Sequence, residues 1–190
     1  RVVVPSGDGN ILSAIWKGWC DLKASGLTER LPKIDCVQSE SSAAISKTVR
    51  QVRSGDESKV NLSTLAVQEV KASTVADSIS VDRPRDGLAA VKAIIQSGGE
   101  AVTVEDQEIL AAIPEMARLS GVFPEPAAAA PWAGVKQMIR KGQIAPDDLV
   151  VCIVSGSGLK DIAGSRTVIG EPRLIEPSLK AVRAAFRSRD

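Results

Sequence analysis

The chain has 190 residues, a length that suits a single α/β domain or one part of a larger enzyme. Its 24 lysines and arginines against 23 acidic residues leave a net charge of +1, which gives no electrostatic reason to expect nucleic acid or an anionic membrane as a partner. Histidine and tyrosine are absent, which excludes imidazole-based triads and histidine-ligated zinc, so any catalysis must depend on lysine, carboxylates, hydroxyls, backbone dipoles or a cofactor.

The first half of the chain alternates strand-like and helix-like patterns. Its predicted elements are a strand at 2–4 stopped by Pro5, a helix that begins at Ile11 and closes at Gly26, a strand at 34–38, and a helix that runs through Val52. A strand–helix–strand order favours a buried parallel sheet. Residues 54–74 are polar and weakly patterned, and they predict mostly loop.

The second half continues the alternation. Its predicted elements are a helix capped by Asp86 and ended by Gly98 and Gly99, a strand at 101–104, a helix from Asp106, a helix at 125–141, a buried strand at 149–154, and a helix at 177–187. Pro114 predicts a kink or split in its helix, and Pro131 predicts a second helix start. The predicted fold class is α/β, with a mostly parallel sheet flanked by helices.

The cysteines and the apolar runs bear on the compartment. Cys20, Cys36 and Cys152 are widely spaced and odd in number, which predicts reduced thiols in a cytoplasmic protein. No run approaches the roughly 18 apolar residues of a membrane span. The chain opens at Arg1 on a strand-like run without a signal-peptide pattern, which suggests a processed chain or one cut from something longer.

Two of the predicted strands end in glycine-rich loops, at the edge where ligands gather in open α/β sheets. Gly7 and Gly9 allow backbone N–H groups to point toward one place at the start of a helix, which is how a phosphate is held without basic side chains. The loop is neither a Walker sequence nor a complete G-x-G-x-x-G, and an ordinary turn stays open. Asp8 argues against an anion unless its carboxylate points away. In the second loop Ser155 can hydrogen-bond a ligand heteroatom, and a tight turn is again the alternative.

Five stretches of the chain, from Val2 to Asp161, resemble the carboxyl-terminal part of threonine synthase and its relatives among the fold-type-II enzymes that use pyridoxal phosphate. They follow the family's order. The stretches are VVVPSGDGNILSAIWKGW at 2–19, LPKIDCVQSESSAAI at 31–45, TVADSISVDRP at 74–84, GVFPEPAAAAPWAGVKQM at 121–138 and VVCIVSGSGLKD at 150–161.

The resemblance implies pyridoxal phosphate as cofactor and gives roles to individual residues. The implied phosphate-binding residues are Ser6, Gly7, Asp8, Gly9 and Asn10. Ser155 would hydrogen-bond the pyridine nitrogen, and a hydroxyl there leaves that nitrogen largely unprotonated and moderates the electron sink. Glu125 would lie on the substrate side of the site, with a non-catalytic carboxylate at a helix N-terminus as the alternative. The implied domains are a cofactor-binding part at 1–170 and a helical tail at 171–190, and no metal is expected.

The chain also departs from the family. The family's Schiff-base lysine precedes the phosphate loop, and no such stretch lies ahead of Arg1. Lys47 sits in a superficially similar segment on the wrong side of the loop, and we interpret it as a solvated helix lysine. Ser155 stands where these enzymes usually have threonine, and Ser157 where many have histidine or asparagine. A divergent member is therefore expected.

For the parent enzyme, the resemblance implies a lyase that carries out a β,γ-replacement, in which water displaces phosphate from O-phosphohomoserine to give threonine. The 190-residue chain alone would then be catalytically silent. Cysteate synthase or a serine/threonine dehydratase-like lyase are alternatives on the same fold. A non-catalytic domain that binds a phosphorylated metabolite or a partner protein, and a nucleotide-binding domain, are alternatives of other classes. The expected partners are an amino-acid substrate and, through an exposed apolar face, further copies of the chain.

Overall fold

All strands in the described part of the chain run parallel in one four-stranded sheet of order β3–β2–β1–β4. The computed structural model describes residues 1–55, 61–62, 64–171 and 174–187. The strands are β1 (Val2–Pro5), β2 (Ile34–Ser39), β3 (Ala101–Val104) and β4 (Val151–Cys152). The α/β class and the parallel sheet predicted from the sequence are confirmed.

Helices cover both faces of this sheet. The helices are α1 (Asn10–Ala24), α2 (Ala44–Ser54), α3 (Gly87–Ser97), α4 (Asp106–Ser120), α5 (Pro126–Arg140), α6 (Ile162–Ile169) and α7 (Leu179–Arg187). Val2 and Val4 pack with Leu12 of α1 and Ile94 of α3, whereas Val3 packs with residues of α4 and α5. Alternate side chains of a strand point to opposite faces, so one strand supplies both cores.

Both helices with an internal proline are continuous. Pro114 lies inside α4 and Pro131 inside α5, so the predicted split and the predicted second helix start are wrong. A proline removes one backbone hydrogen bond from the helix interior. Here the two helices pack along each other and against the sheet, and burial of their apolar faces outweighs the lost bonds.

Strand β4 is shorter and more exposed than its apolar sequence predicts. The regular strand covers two residues of the predicted six, although the Ile153 N–H still donates to the Val3 carbonyl at 2.9 Å. Leu149 is 81% exposed and Val151 is 48% exposed. The prediction of a buried strand is wrong because, among the described residues, only β1 pairs with β4.

The amino end of the sheet is closed by a buried ion pair. The Arg1 guanidinium donates to both oxygens of Asp35, at 2.8 and 2.9 Å, and to the Gln143 carbonyl at 2.6 Å. The hydrogen bond to Asp35 raises the pKa of Arg1 above its already high usual value. Both side chains are almost fully buried. This end of the sheet is therefore filled by protein groups.

Two predicted segments lie partly outside the described residues. Within the predicted loop at 54–74, residues 56–60 and 63 lie outside the described residues, and 61–62 and 64–74 form neither helix nor strand. Residues 172–173 and 188–190 of the predicted tail also lie outside them.

The cysteines are free thiols. None of the described helices combines the length and the apolar character that crossing a bilayer requires.

Candidate functional site

The strand order places a crevice beside β1. The chain proceeds outward from β1 to β2 and β3, and then returns to the opposite side as β4. In open α/β sheets, ligands bind beyond the carboxyl ends of the strands at the point where the strand order reverses. The loops that follow β1 and β4 meet there and line one cleft of about 240 Å³. Both glycine loops singled out from the sequence therefore contribute to the same site.

The structure brings most of the predicted site residues together. The cleft is lined by Gly7, Asp8, Gly9, Asn10, Glu125 and Ser155, and also by Ser78 and Lys160. Ser6 lies beneath the cleft, where its buried hydroxyl donates to the Val4 carbonyl at 3.3 Å. Lys47 lies exposed on α2 and does not line this cleft. The described residues contain no group of carboxylates and thiols that could hold a metal ion.

The loop after β1 presents unpaired backbone donors. Gly9 is the N-cap of α1, with φ of 90°, and no side chain caps the helix there. Across the described chain, the N–H groups of residues 7–10 find no hydrogen-bond acceptor. Free N–H groups at the start of a 15-residue helix, together with the helix dipole, could hold an anion. This arrangement fits a phosphate group.

The carboxylate of Asp8 points away from these donors. Its Oδ1 accepts a hydrogen bond from the Arg85 backbone N–H at 3.0 Å, and its carbonyl accepts one from the Asp86 N–H at 3.0 Å. Asp8 thus fastens the loop to the segment that leads into α3. The sequence-based objection to an anion at this loop is removed.

Close packing explains both glycines of the loop. A Cβ on Gly7 would lie 2.9 Å from the Ile79 Cα, and one on Gly9 would lie 2.8 Å from the Ala90 Cβ. Ile79 ends a short 3₁₀ turn (Asp77–Ile79). The Ser42 hydroxyl holds this turn by donating to the Ile79 carbonyl at 2.8 Å. The loop can approach the turn at Gly7, and α3 at Gly9, only because it lacks side chains at these two positions.

The late glycine loop is held against the entry to α5. The Glu125 N–H donates to the Gly156 carbonyl at 3.1 Å, and the Gly158 N–H donates to the Phe123 carbonyl at 2.8 Å. Ser155 is exposed at the cleft, and the described residues supply no hydrogen-bond partner for its hydroxyl. A hydroxyl in this position is available to a polar ring atom of a ligand.

Glu125, Ser78 and Lys160 form a cluster at the wall of the cleft. The Lys160 ammonium lies 3.4 Å from Glu125 Oε1 and donates to the Ser78 hydroxyl at 3.2 Å. The Ser78 hydroxyl lies 3.5 Å from Glu125 Oε2. Ser78 and Lys160 were not predicted as site residues, although both lie in stretches that carry the family resemblance. The available signals were a hydroxyl in the 74–84 stretch and a lysine just after the glycine loop.

A larger cavity of about 660 Å³ lies beside α6 and α7. It shares Gly158 with the late glycine loop but contains none of the unpaired N–H groups that follow β1. Its walls are mainly apolar side chains, among them Phe123, Ile162 and Phe186. The polar groups that could bind and orient a phosphorylated ligand are in the smaller cleft, so we place the candidate site there.

Comparison with protein families and curated sequences finds relatives that use a phosphorylated cofactor. The family model described as pyridoxal-phosphate dependent enzyme matches residues 1–156. Threonine synthase of Methanosarcina acetivorans is 37% identical over 186 residues, which cover 98% of this chain and 44% of that protein. Threonine synthase of Methanocaldococcus jannaschii is 34% identical over 187 residues, with the same two coverages. The chain thus spans less than half the length of these relatives.

Solved structures share the fold at low identity. The processed form of threonine deaminase isoform 2 from Solanum lycopersicum has a TM-score of 0.64 at 19% identity and covers 88% of this chain and 43% of that one. Maize serine racemase has a TM-score of 0.58 at 14% identity, with coverages of 100% and 48%. At these identities the likeness shows the fold alone.

Proposed function

Because the chain belongs to the family of pyridoxal-phosphate-dependent enzymes, we propose that its cleft binds pyridoxal phosphate as part of a threonine synthase-like lyase. The observation that carries the proposal is the row of unpaired N–H groups at residues 7–10, which opens α1 in the cleft that Ser155 also lines. A phosphate and a polar ring atom are the two features of the cofactor that these groups match.

Each part of the cleft then has a separate task. The N–H groups of residues 7–10 bind the phosphate, and the Ser155 hydroxyl orients the ring through its nitrogen. A hydroxyl does not stabilise a proton on that nitrogen as a carboxylate would. When bound, pyridoxal phosphate stabilises negative charge that develops on substrate carbon atoms, and the neutral Ser155 moderates this effect.

The proposed reaction of the parent enzyme is a β,γ-replacement: phosphate leaves the γ-carbon of O-phosphohomoserine and water adds at the β-carbon, which yields threonine and phosphate. The support is the identity of 37% and 34% to proteins named threonine synthase. The imine-forming lysine is proposed to lie in the part of those relatives that this chain does not span. The chain alone is therefore expected to hold the cofactor without turnover.

A binding experiment tests the cleft itself. The probe is pyridoxine phosphate, because its alcohol cannot form an imine with surface lysines. We expect calorimetry to show binding that inorganic phosphate displaces, and far weaker binding of pyridoxine without phosphate. Ser155→Ala removes one hydrogen bond and should weaken binding by about three- to tenfold.

Ser157→Ala is the matched control, because the Ser157 hydroxyl faces the Leu159 N–H within the loop and does not line the cleft. Equal losses in the two serine variants, or no binding by the unmodified chain, would contradict the proposed site.

An activity measurement tests the reaction. The natural reading frame that contains this sequence should be assayed for phosphate release from O-phosphohomoserine. Cysteate formation from phosphoserine and sulfite, or ammonia release from threonine, would replace the proposed reaction with one of the alternative lyases. Ligand binding without turnover of any of these substrates would support a binding domain.

A further inference from the structure

We propose that Lys160 is a positioning residue of the cleft, which holds the buried Glu125 carboxylate and thereby fixes the spacing between the late glycine loop and the loop after β1. The inference rests on the proposed function and deepens it, because it gives a role to a residue for which the family resemblance implies none. Lys160 contacts no phosphate-binding group of the cleft, and it acts through Glu125 and Ser78.

The first step concerns the charge of Glu125. Its side chain is only 5% exposed, and its carboxylate makes no capping hydrogen bond although the residue is the N-cap of α5. A buried carboxylate is costly unless it is paired. The helix dipole of α5 supplies part of the compensation. Among the residues that line the cleft in the described chain, Lys160 is the only lysine or arginine.

The second step concerns the two loops that the cluster joins. Lys160 follows the late glycine loop, where its N–H donates to the Ser157 carbonyl at 2.9 Å. Its ammonium reaches Ser78, 82 positions away in sequence, in the turn against which Gly7 packs. The Lys160 side chain thus connects the segment after β4 to the turn that supports the phosphate-binding loop.

The third step concerns how the Glu125 carboxylate supports the backbone at Ser155. A Cβ on Gly156 would lie 2.1 Å from Glu125 Oε1, so the carboxylate packs directly on the backbone next to Ser155. A second cavity of about 300 Å³ lies on the other side of this cluster, lined by Asp77, Pro126 and Asp161 among others. Without the ammonium, the Ser78 hydroxyl, 3.5 Å from Oε2, is the remaining described partner of the carboxylate, and the acidic side chains of Asp77 and Asp161 across this cavity repel it. Its place against Gly156 is then no longer fixed. Ser155 would then lose the support that sets its distance from the N–H groups at 7–10.

The experiment compares two ligands of the same chain. Pyridoxine phosphate needs both loops at the correct spacing, whereas inorganic phosphate needs only the N–H groups after β1. Lys160→Met should weaken pyridoxine phosphate binding by roughly tenfold and inorganic phosphate binding by much less. Lys160→Arg should keep the affinity for both ligands. The double variant Lys160→Met/Glu125→Gln removes the uncompensated charge and should recover most of the lost affinity.

Lys136→Met is the control, because Lys136 also pairs with a partly buried carboxylate, that of Glu115, between α4 and α5 and away from the cleft. A merely structural role of Lys160 would lower the free energy of unfolding in urea and leave the ratio of the two affinities unchanged. That result would overturn the inference while the proposed function stands. If the unmodified chain binds inorganic phosphate but not pyridoxine phosphate, or neither ligand, both proposals are overturned.

Discussion

Two of the cysteines have thiols whose ionisation is suppressed by their surroundings. Cys36 in β2 is completely buried among Val4, Ile45 and Ile94. Burial raises the pKa of the Cys36 thiol to about 12 and that of the half-buried Cys152 to about 11. The pKa of an ordinary cysteine is about 8.5. Between the ordinary pKa and these raised values, both thiols are therefore neutral in the folded chain and ionised in the unfolded chain.

We expect this difference to make the free energy of unfolding fall as the pH rises above about 8.5. The raised pKa of the Cys36 thiol contributes stability that is fully present below the unfolded pKa. That contribution is lost as the pH rises toward the folded pKa of about 12. Urea unfolding measured from about pH 8 to about pH 10.5 should show a shallower decline in Cys36→Ala than in the unmodified chain. Parallel declines would contradict the prediction, whatever the variant loses through its smaller side chain.

At the scale of secondary-structure elements, small residues set how closely α5 approaches the sheet. A Cβ on Gly134 would lie 2.4 Å from Val37 Cγ2 of β2, and the helix also buries four consecutive alanines, 127–130. Larger side chains would push α5 away from β1 and β2. Glu125 is the N-cap of the same helix, so the position of α5 also determines where that carboxylate enters the cleft.

Alanine at two glycines should therefore have opposite effects on the free energy of unfolding. Gly134→Ala forces α5 away from Val37 and should lower it by about 1–3 kcal/mol. Gly18→Ala on α1 meets no atom within 4 Å and should raise it by about 0.5–1 kcal/mol, because alanine is the better helix former. Urea unfolding of both variants checks the pair. A Gly134→Ala chain as stable as the Gly18→Ala chain would refute the close approach.

Local sequence patterns predict most of the helices and strands, but they do not predict which other elements pack beside them. The strand at 101–104 is confirmed to the residue, and the helices around it agree within a few residues. Helix α6 was missed because it has only eight residues and contains Gly164, although Asp161 caps it by accepting from the Gly164 N–H at 2.9 Å. The exposure of β4 depends on which strands lie beside it, and a single segment does not encode its neighbours.

Some residues of the candidate site could be predicted from the sequence, and others depend on the tertiary fold. Residues 7–10 and Ser155 lie within a few positions of the ends of β1 and β4, so their place at the carboxyl edge of the sheet could be inferred from the sequence. Ser78 and Lys160 meet only through the tertiary fold, and neither carries a local pattern that indicates the other. The direction of the Asp8 carboxylate could not be predicted from the sequence either, because it depends on contacts with the backbone of residues 85 and 86.

For the whole molecule, one exposed apolar surface follows the outer side of β4. Leu149, Val151 and Val154 are 81%, 48% and 39% exposed. In the described chain, β4 is an edge strand with backbone groups free on one side. Exposed apolar side chains on an unpaired strand edge favour association with another chain.

We therefore expect the chain to self-associate through this edge at rising protein concentration, as measured by analytical ultracentrifugation. The double variant Leu149→Lys/Val151→Lys places charges on the edge and should shift the distribution toward monomer. Leu119→Lys is the control, because Leu119 is 74% exposed at the end of α4. A monomeric unmodified chain, or an equal shift in the control, would contradict association through β4.

The unpaired N–H groups of residues 7–10 also bear on how such a site changes in evolution. Main-chain donors constrain backbone conformation more than they constrain the identity of the side chains that project from it. Gly7 and Gly9 are tied to their identities by close packing and, for Gly9, by its positive φ, and Asp8 is tied by the hydrogen bond that its carboxylate accepts from the Arg85 N–H. Two lineages can therefore keep the same loop conformation while they differ at the remaining positions. Distant relatives of this site are better sought by the shape of the loop than by a side-chain motif.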